Sequence, residues 1–401
     1  MAPFAESIGF FQLFNDNLHV PMKEIIYTNL DRVKTLVASI SIGCKYVKDI
    51  NHKLVPYKGA AKCCGLDRFP DQSQINRFLR RFDLSNIREL DYIFEQLLCS
   101  HGLWRSEQQI DIDFDCSGIV VHGKTYQLAR KGYFPRKRSS RGYQLSLAST
   151  FNVPFKEILS LHLDPGNTYV DTRFWDAIYQ AAEILGDIDR IGLVRADSAS
   201  GTGPNIEALI DHHISFLIKG NNCRTAQNFA KRLSHPDWMP IDYFVRIADM
   251  HDQRITNCCY PVRVIVVETI SPKGRKKYSH LYSDQEDEPE ALYQSYNERQ
   301  SIESIIKEET YGLCIKSLRT RKYLGILTFV YFVTMTYNLL SLFRYHVLRD
   351  TQLESMSTID LTNKLMDIPA KMRSEDGRLF LTFPENHDLC KKYFSSIKQN
   401  L

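Results

Sequence analysis

The chain holds ten cysteines in 401 residues, yet no two stand as Cys-x-x-Cys. The adjacent pairs Cys63–Cys64 and Cys258–Cys259 have His52 and His251 nearby, and neither set completes a zinc spacing. Vicinal cysteines rarely bridge each other, so reduced thiols in a cytosolic protein are expected. The N-terminus MAPFAESIGFFQLF has no basic segment ahead of an apolar run, which argues against a signal peptide. No full glycine-rich phosphate loop is present. GTGP at Gly201–Pro204 lacks the spacing and the Lys-Ser/Thr that would follow, and reads as a connecting turn. No nucleophile-elbow text surrounds Ser198, so no hydrolase triad is read there. Internal repeats and low-complexity tracts are also missing.

Acid is missing where it matters most. From Cys116 through Lys156 there is no Asp or Glu, and from Thr310 through Arg349 again none. The first stretch holds Lys124, Arg130, Lys131, Arg136, Lys137, Arg138, Arg141 and Lys156, interleaved with Tyr126, Tyr133, Phe134 and Tyr143. The second holds the cluster Lys316, Arg319, Arg321 and Lys322. Overall net charge is only +4, so charge is segregated rather than abundant. Basic stretches with aromatics suit a phosphate backbone.

Just ahead of the first basic stretch lies QQIDIDFD, Gln108–Asp115. Ile110, Ile112 and Phe114 alternate with Asp111, Asp113 and Asp115, the period of a strand with one apolar and one acidic face. Neighbouring acids on that face would be about 6.5 Å apart. Such crowding disfavours joint ionisation unless a cation offsets it. The strand is expected to end at Asp115, with the chain leaving the sheet at Cys116–Ser117.

The length predicts two or three structural units. Residues 1–105 read as a helical region. After Pro70, Asp71 is a plausible N-cap for a helix with Ile75, Phe78, Leu79 and Phe82 on one stripe. Asn76, Arg77, Arg80 and Arg81 lie on its remaining surface. With the shorter helix Gly59–Leu66 ahead of it, this resembles a helix-turn-helix reading a major groove, or an ordinary amphipathic helix. Residues 106–220 read as β-β-β-α-β-α-β, a mixed sheet with packed helices. Strands fall near 143–151, 155–163, 191–196 and 214–219.

Residues 221–288 break that rhythm as a β-rich insertion, with a basic turn at Lys273–Lys277. Trp238 there is either a base-stacking residue or a loop or core tryptophan. Residues 289–350 resume with one long helix from Pro289 to about Glu309 and the apolar run Tyr323–Phe343. That run is long enough to span a bilayer, but its threonines, asparagine and tyrosines favour a helix buried behind a sheet. Residues 351–401 form a polar tail without a structural assignment.

Asp115 ends one strand, Asp197 ends Ile191–Ala196, and Tyr296, Arg299 and Glu303 share one helix stripe. Three carboxylates on separate elements suit a pair of Mg²⁺ or Mn²⁺ ions clamping a phosphoryl displacement. Here the residues carry a resemblance. VRADSAS at Val194–Ser200, YNERQSIESIIKEE at Tyr296–Glu309, DIDFDCSGIVVHG at Asp111–Gly123 and TMTYNLLSLFR at Thr334–Arg344 resemble the bacterial insertion-sequence transposases of the DDE class, group 1380.

The resemblance implies an α/β, ribonuclease-H-like mixed sheet with flanking helices and a β-rich insertion before the catalytic Glu. An N-terminal helical DNA-binding region would complete it. It further implies cut-and-paste transposition at terminal inverted repeats, two Mg²⁺ ions, a homodimer on double-stranded DNA, no membrane, and a cytoplasmic, nucleoid-associated location. Asp115, Asp197 and Glu303 would be catalytic and metal-binding, with Asp113 the second choice for the first aspartate and a candidate helper. Tyr296, Arg299 and Lys307 would support Glu303 or the DNA end.

Two departures stand out: Thr310 occupies the signature lysine position, and Gln300 follows the arginine. They keep open a decayed or repurposed transposase that only binds DNA. A nuclease without strand transfer is a third reading.

Overall fold

The computed structural model describes residues 1–132, 134, 140–366, 368, 370–375, 378–384 and 387–391. Its centre is a mixed sheet. The strands are β1 (Ile110–Val121), β2 (Arg130–Lys131), β3 (Arg141–Thr150), β4 (Ile158–Pro165), β5 (Ile191–Ala196), β6 (Ser215–Lys219), β7 (Met239–Pro240), β8 (Val245–Gln253), β9 (Val262–Ile270) and β10 (Lys276–Ser283). Their order is β2-β3-β1-β5-β6-β10-β9-β8-β7, with β4 also on β3. Pairings β1–β5 and β5–β6 are parallel, and the others are antiparallel. This is a mixed α/β architecture of the kind expected, and it is compatible with a ribonuclease-H-like core.

Two expectations about strands need correction. β1 does not end at Asp115; it runs on to Val121 against β3. What ends near Asp115 is the pairing with β5, whose last partners are Phe114 and Ala196. The residues CSGIVV keep the strand going because β3 offers the matching run Arg141–Ser146 as a ladder. Second, Lys276–Lys277 belong to a strand rather than a turn. β10 bridges β6 to β9 and so joins the 239–283 strands to the same sheet. Its text KKYSHLYS hides the apolar signal behind Ser and His, although His280, Leu281 and Tyr282 are buried.

The sheet is covered on both faces, so the acid face of β1 is shielded from solvent at Asp113 and Asp115 and only half-buried at Asp111. Asp113 is fully buried and Asp115 is 9% exposed. The helix Gln300–Tyr311 lies over that face and buries Ile302, Ile305 and Ile306. β9 shows the same two-sidedness. Val262, Val264 and Val266 join the main core, while Ile265 and Val267 join a smaller one with Leu217, Leu281 and Leu292. The expected long helix is broken at Arg299 into Pro289–Glu298 and Gln300–Tyr311.

The helix Tyr323–Phe343 is long and apolar enough to cross a membrane, but 94% of its apolar window is buried inside the protein. The N-terminal helices wrap it: Phe14 stacks on Phe332 at 5.3 Å. Gly325 lets the helix approach the Leu79 carbonyl so closely that a Cβ would collide with it. On the sheet side, Asn338 mimics a strand. Its Nδ2 donates to Ile158 O and its Oδ1 accepts from Ile158 N, both at 2.9 Å, which satisfies backbone groups of β4.

In the N-terminal region the helix Gln72–Leu79 starts where expected, because Asp71 accepts from Ser73 N and Gln74 N. Ile75, Phe78, Leu79 and Phe82 are buried as the stripe requires. The preceding helix is Lys58–Cys63.

Candidate active site

Three elements converge where β5 stops. β1 contributes Asp115, and the residue after β5 is Asp197, whose Oδ1 accepts from Ala199 N at 2.9 Å to close a tight turn. The helix Gln300–Tyr311 brings Glu303 in its first turn. Arg299, at the helix break, sits between them. Its Nη1 is 3.7 Å from Asp115 Oδ2 and its Nη2 is 3.6 Å from Glu303 Oε1. The guanidinium carbon lies 5.6 Å from the Tyr296 ring centre.

Arg299 is 7% exposed, and its Nε and Nη1 have no hydrogen-bond partner. A buried guanidinium this poorly satisfied is held by charge more than by geometry.

Burial pushes the Asp115 carboxyl up to about 6; Arg299 pulls it back, and Asp197 and Glu303 push it further. The three carboxylates therefore sense one another even where no hydrogen bond links them. Burial also lifts the Tyr296 phenol to about 12, against the pull of Arg299, so it stays protonated. Among the described residues, no three ligating side chains are already gathered at metal-holding distance. Arg299 supplies the offsetting charge in their place.

Asp113 has a different situation. Arg195 grips it with both arms, Nε to Oδ1 at 2.7 Å and Nη2 to Oδ2 at 3.0 Å, and Ser301 Oγ donates to Oδ2 at 3.1 Å. Arg195 Nη1 also donates to Ser295 O at 2.7 Å, tying β1, β5 and the helix Pro289–Glu298 together. Both charged side chains are fully buried. Asp113 as a metal helper is thus corrected: its oxygens are committed to a structural pair. The alternation put Asp113 and Asp115 on equal terms. The missed signal was Arg195 inside VRADSAS, since a charge within an apolar strand needs a buried partner.

The remaining expected residues are dispersed. Lys307 is exposed one turn beyond Glu303, and Thr310 is half-buried with its hydroxyl unpartnered. Arg77, Arg80 and Arg81 are exposed, and Asn76 is half-buried. Lys131 is exposed on β2, while Arg141 donates to Ala129 O at 2.8 Å. Arg136, Lys137 and Arg138 lie outside the described residues.

Arg321 donates to Thr125 Oγ1 at 3.0 Å, and Lys322 donates to Arg80 O at 3.4 Å. These contacts bring the exposed residues after the helix Gln72–Leu79 and those after β1 onto one face. Arg319 does not join them. It is 6% exposed and donates to Ser39 Oγ at 2.6 Å and Cys44 O at 2.7 Å, so its expected DNA contact is corrected to an internal strut. Trp238 is half-buried, with Arg246 4.9 Å from its ring centre and Tyr278 at 6.4 Å. That makes it part of a packed cluster rather than a free stacking platform.

The family model described as "Transposase DDE domain group 1" matches residues 1–401. No curated protein matches the chain.

Proposed function

From the premise that this chain belongs to the DDE-domain transposases of group 1, we propose a metal-dependent DNA transposase whose catalytic carboxylates are Asp115, Asp197 and Glu303. It would cleave DNA at the ends of a mobile element and join the freed ends to target DNA. The observation that carries this reading is the convergence of the three carboxylates, from three elements, around the single guanidinium of Arg299.

The donor set fits hard divalent cations. Three carboxylates offer only oxygen, and burial together with Asp197 and Glu303 makes the Asp115 charge costly, which a stronger cation would relieve. Asp115, Asp197 and Glu303 would hold two Mg²⁺, or Mn²⁺, ions, which when bound make water nucleophilic and stabilise charge on attacking and leaving oxygens. The chain's own groups do the rest. Arg299 offsets the carboxylates and is placed to turn towards a phosphate, Tyr296 orients Arg299, and exposed Lys307 would meet the DNA end.

Arg77, Arg80, Arg81, Lys131, Arg321 and Lys322 would carry the flanking duplex as phosphate contacts, with Asn76 the group able to read a base. Two element ends must be paired for cut-and-paste, so a homodimer on DNA in the cytoplasm follows from this reading.

The test uses duplexes taken from the DNA immediately flanking the gene on each side, with Mg²⁺. Wild-type protein should nick them and yield joined product. Cleavage that survives Asp197→Ala or Glu303→Ala would sink the assignment. DNA binding with no metal-dependent cutting by the wild type would mark a protein that only binds.

A further inference from the structure

A cavity of about 1110 Å³ opens beside Asp197 and runs along β1 past the point where β5 ends. It exceeds the usual range of a small-molecule pocket and has room for more than one nucleotide. One wall is the edge of β1 itself. Asp111 O accepts from Phe151 N, and Ile119 O faces Gly142 across the ladder, so the odd-numbered residues of β1 turn their backbone groups to β3. By the strand period, Cys116, Gly118 and Val120 turn theirs the other way. There β5 no longer covers them, and all three line the cavity.

The Cys116 amide is taken by Asp115 Oδ1 at 2.8 Å; among the described residues those of Gly118 and Val120 pair with no other strand. Gly118 has no side chain for a reason: a Cβ there would strike Phe134, which floors this part of the cavity.

Among the described residues Lys316 is the cation that lines this cavity, and it is bonded to the residue two along the strand face from Asp115. Its Nζ donates to Ser117 Oγ at 3.0 Å, and Ser117 shares a face of β1 with Asp115, about 6.5 Å further on. The ammonium is therefore held at a fixed distance from the carboxylate centre. The rest of the lining includes Asn167 to Tyr169 and Asn221, which add amides and one exposed ring. Backbone N–H groups, a tethered ammonium, amides and an aromatic ring together match the phosphates and bases of a nucleic-acid strand.

We infer that this cavity is the track of one DNA strand. Its sugar-phosphate backbone lies along the β1 edge at Gly118 and Val120, and one phosphate rests on Lys316. The inference builds on the reading of Asp115, Asp197 and Glu303 as a DNA-cutting centre, because the track leads a strand to them. It also assigns a phosphate contact to a residue outside the Tyr296–Glu309 signature, in a chain where Thr310 replaces the signature lysine.

The experiment measures binding of a 40-base-pair duplex from the DNA immediately flanking the gene at several salt concentrations, beside Mg²⁺-dependent cleavage. Lys316→Ala should weaken binding about tenfold and lower the salt slope by about 0.7–0.9, one phosphate's worth, whereas Lys316→Arg keeps both near wild type. Val120→Pro deletes an amide facing the cavity and leaves the β3 ladder intact, as proline does on a free edge. It should weaken binding about threefold with an unchanged melting temperature. If the wild type binds and cuts and Lys316→Ala and Val120→Pro both match its affinity and salt slope, the track is overturned while the cutting centre stands. If the wild type neither binds nor cuts, both fail together.

Discussion

The two halves of β1 each bury a carboxylate on the same face, and the two carboxylates meet different fates. From Ile110 to Phe114 the strand has β3 on one side and β5 on the other, and its fully buried acid, Asp113, is gripped by Arg195 at 2.7 Å and 3.0 Å. From Asp115 to Val121 it has β3 alone, and Asp115 has an arginine only at 3.7 Å, shared with Glu303. A carboxylate with a full bidentate partner is part of the frame. One whose partner stands off and divides its charge keeps lone pairs for something else. The difference lies in where a neighbouring strand stops, not in the residue type.

The sharpest way to break this contrast is through catalysis. Asp115→Asn, Asp197→Ala and Glu303→Ala should each lower metal-dependent cleavage by at least roughly 10²–10³-fold, the scale of losing one charge-stabilising group at the reacting centre. Under single-turnover conditions Asp113→Asn should retain cleavage per folded molecule far better than Asp115→Asn. Equal losses at 113 and 115 would erase the distinction drawn between the two halves.

Stability should show the reverse order. Asp113→Ala leaves Arg195 buried and uncompensated, which costs about 3–5 kcal/mol. A urea titration should register this as a lower midpoint, and pairing Asp113→Leu with Arg195→Met should recover much of it. Asp115→Asn should not destabilise at all at neutral pH. A larger loss at 115 than at 113 would mean that the 3.7 Å contact is the stronger one.

Much of this was legible in the residues themselves. The alternation located β1, VRADSAS placed Asp197 immediately after β5, and the Tyr296, Arg299, Glu303 stripe faces the acids. What the residues did not reveal is long-range pairing. Nothing in IDIDFDCSGIVV says that β5 stops at Ala196, so neither the continuation of β1 nor the free edge beyond Phe114 could be read locally. The resemblance ranked Asp115 ahead of Asp113, but the physical reason for that order, Arg195, lies 82 residues away from Asp113 in sequence. Arg319 failed for the same reason: its neighbours in sequence are basic and partly exposed, but its bonds go to Ser39 and Cys44. β10 was missed because KKYSHLYS reads as polar until Leu217 and Val264 are known to flank it.

A third, smaller effect tests the same contrast by titration of the metal-free protein. Burial raises the Asp115 carboxyl from 3.8 to about 6, so the folded state holds that proton more tightly than the unfolded chain. Stability from this group is therefore present below about pH 4, falls as pH rises between about 4 and 6, and levels off above. Asp115→Asn should remove that slope and leave the variant more stable than wild type above pH 6, by on the order of 2 kcal/mol. Melting temperatures of the two proteins from pH 4 to 8 should diverge through that window; parallel curves would show that burial does not raise the Asp115 carboxyl as described.

The smallest effect separates two arginines two residues apart, and extends the contrast from carboxylates to cations. Arg319 is a strut within the N-terminal helices, whereas Arg321 reaches Thr125 on the exposed basic face. If burial decides role for cations as it does for Asp113 and Asp115, Arg319→Ala should lower the urea midpoint and leave the salt dependence of duplex binding unchanged. Arg321→Ala should leave the midpoint unchanged and reduce the slope of log affinity against log salt by about 0.9, one phosphate contact. The affinity change at moderate salt is then only about 1 kcal/mol, so the slope is the better readout. A slope change from Arg319→Ala in protein that remains folded would mean that the helices around Ser39 open when DNA binds, and the division between frame and contact residues would have to be redrawn there.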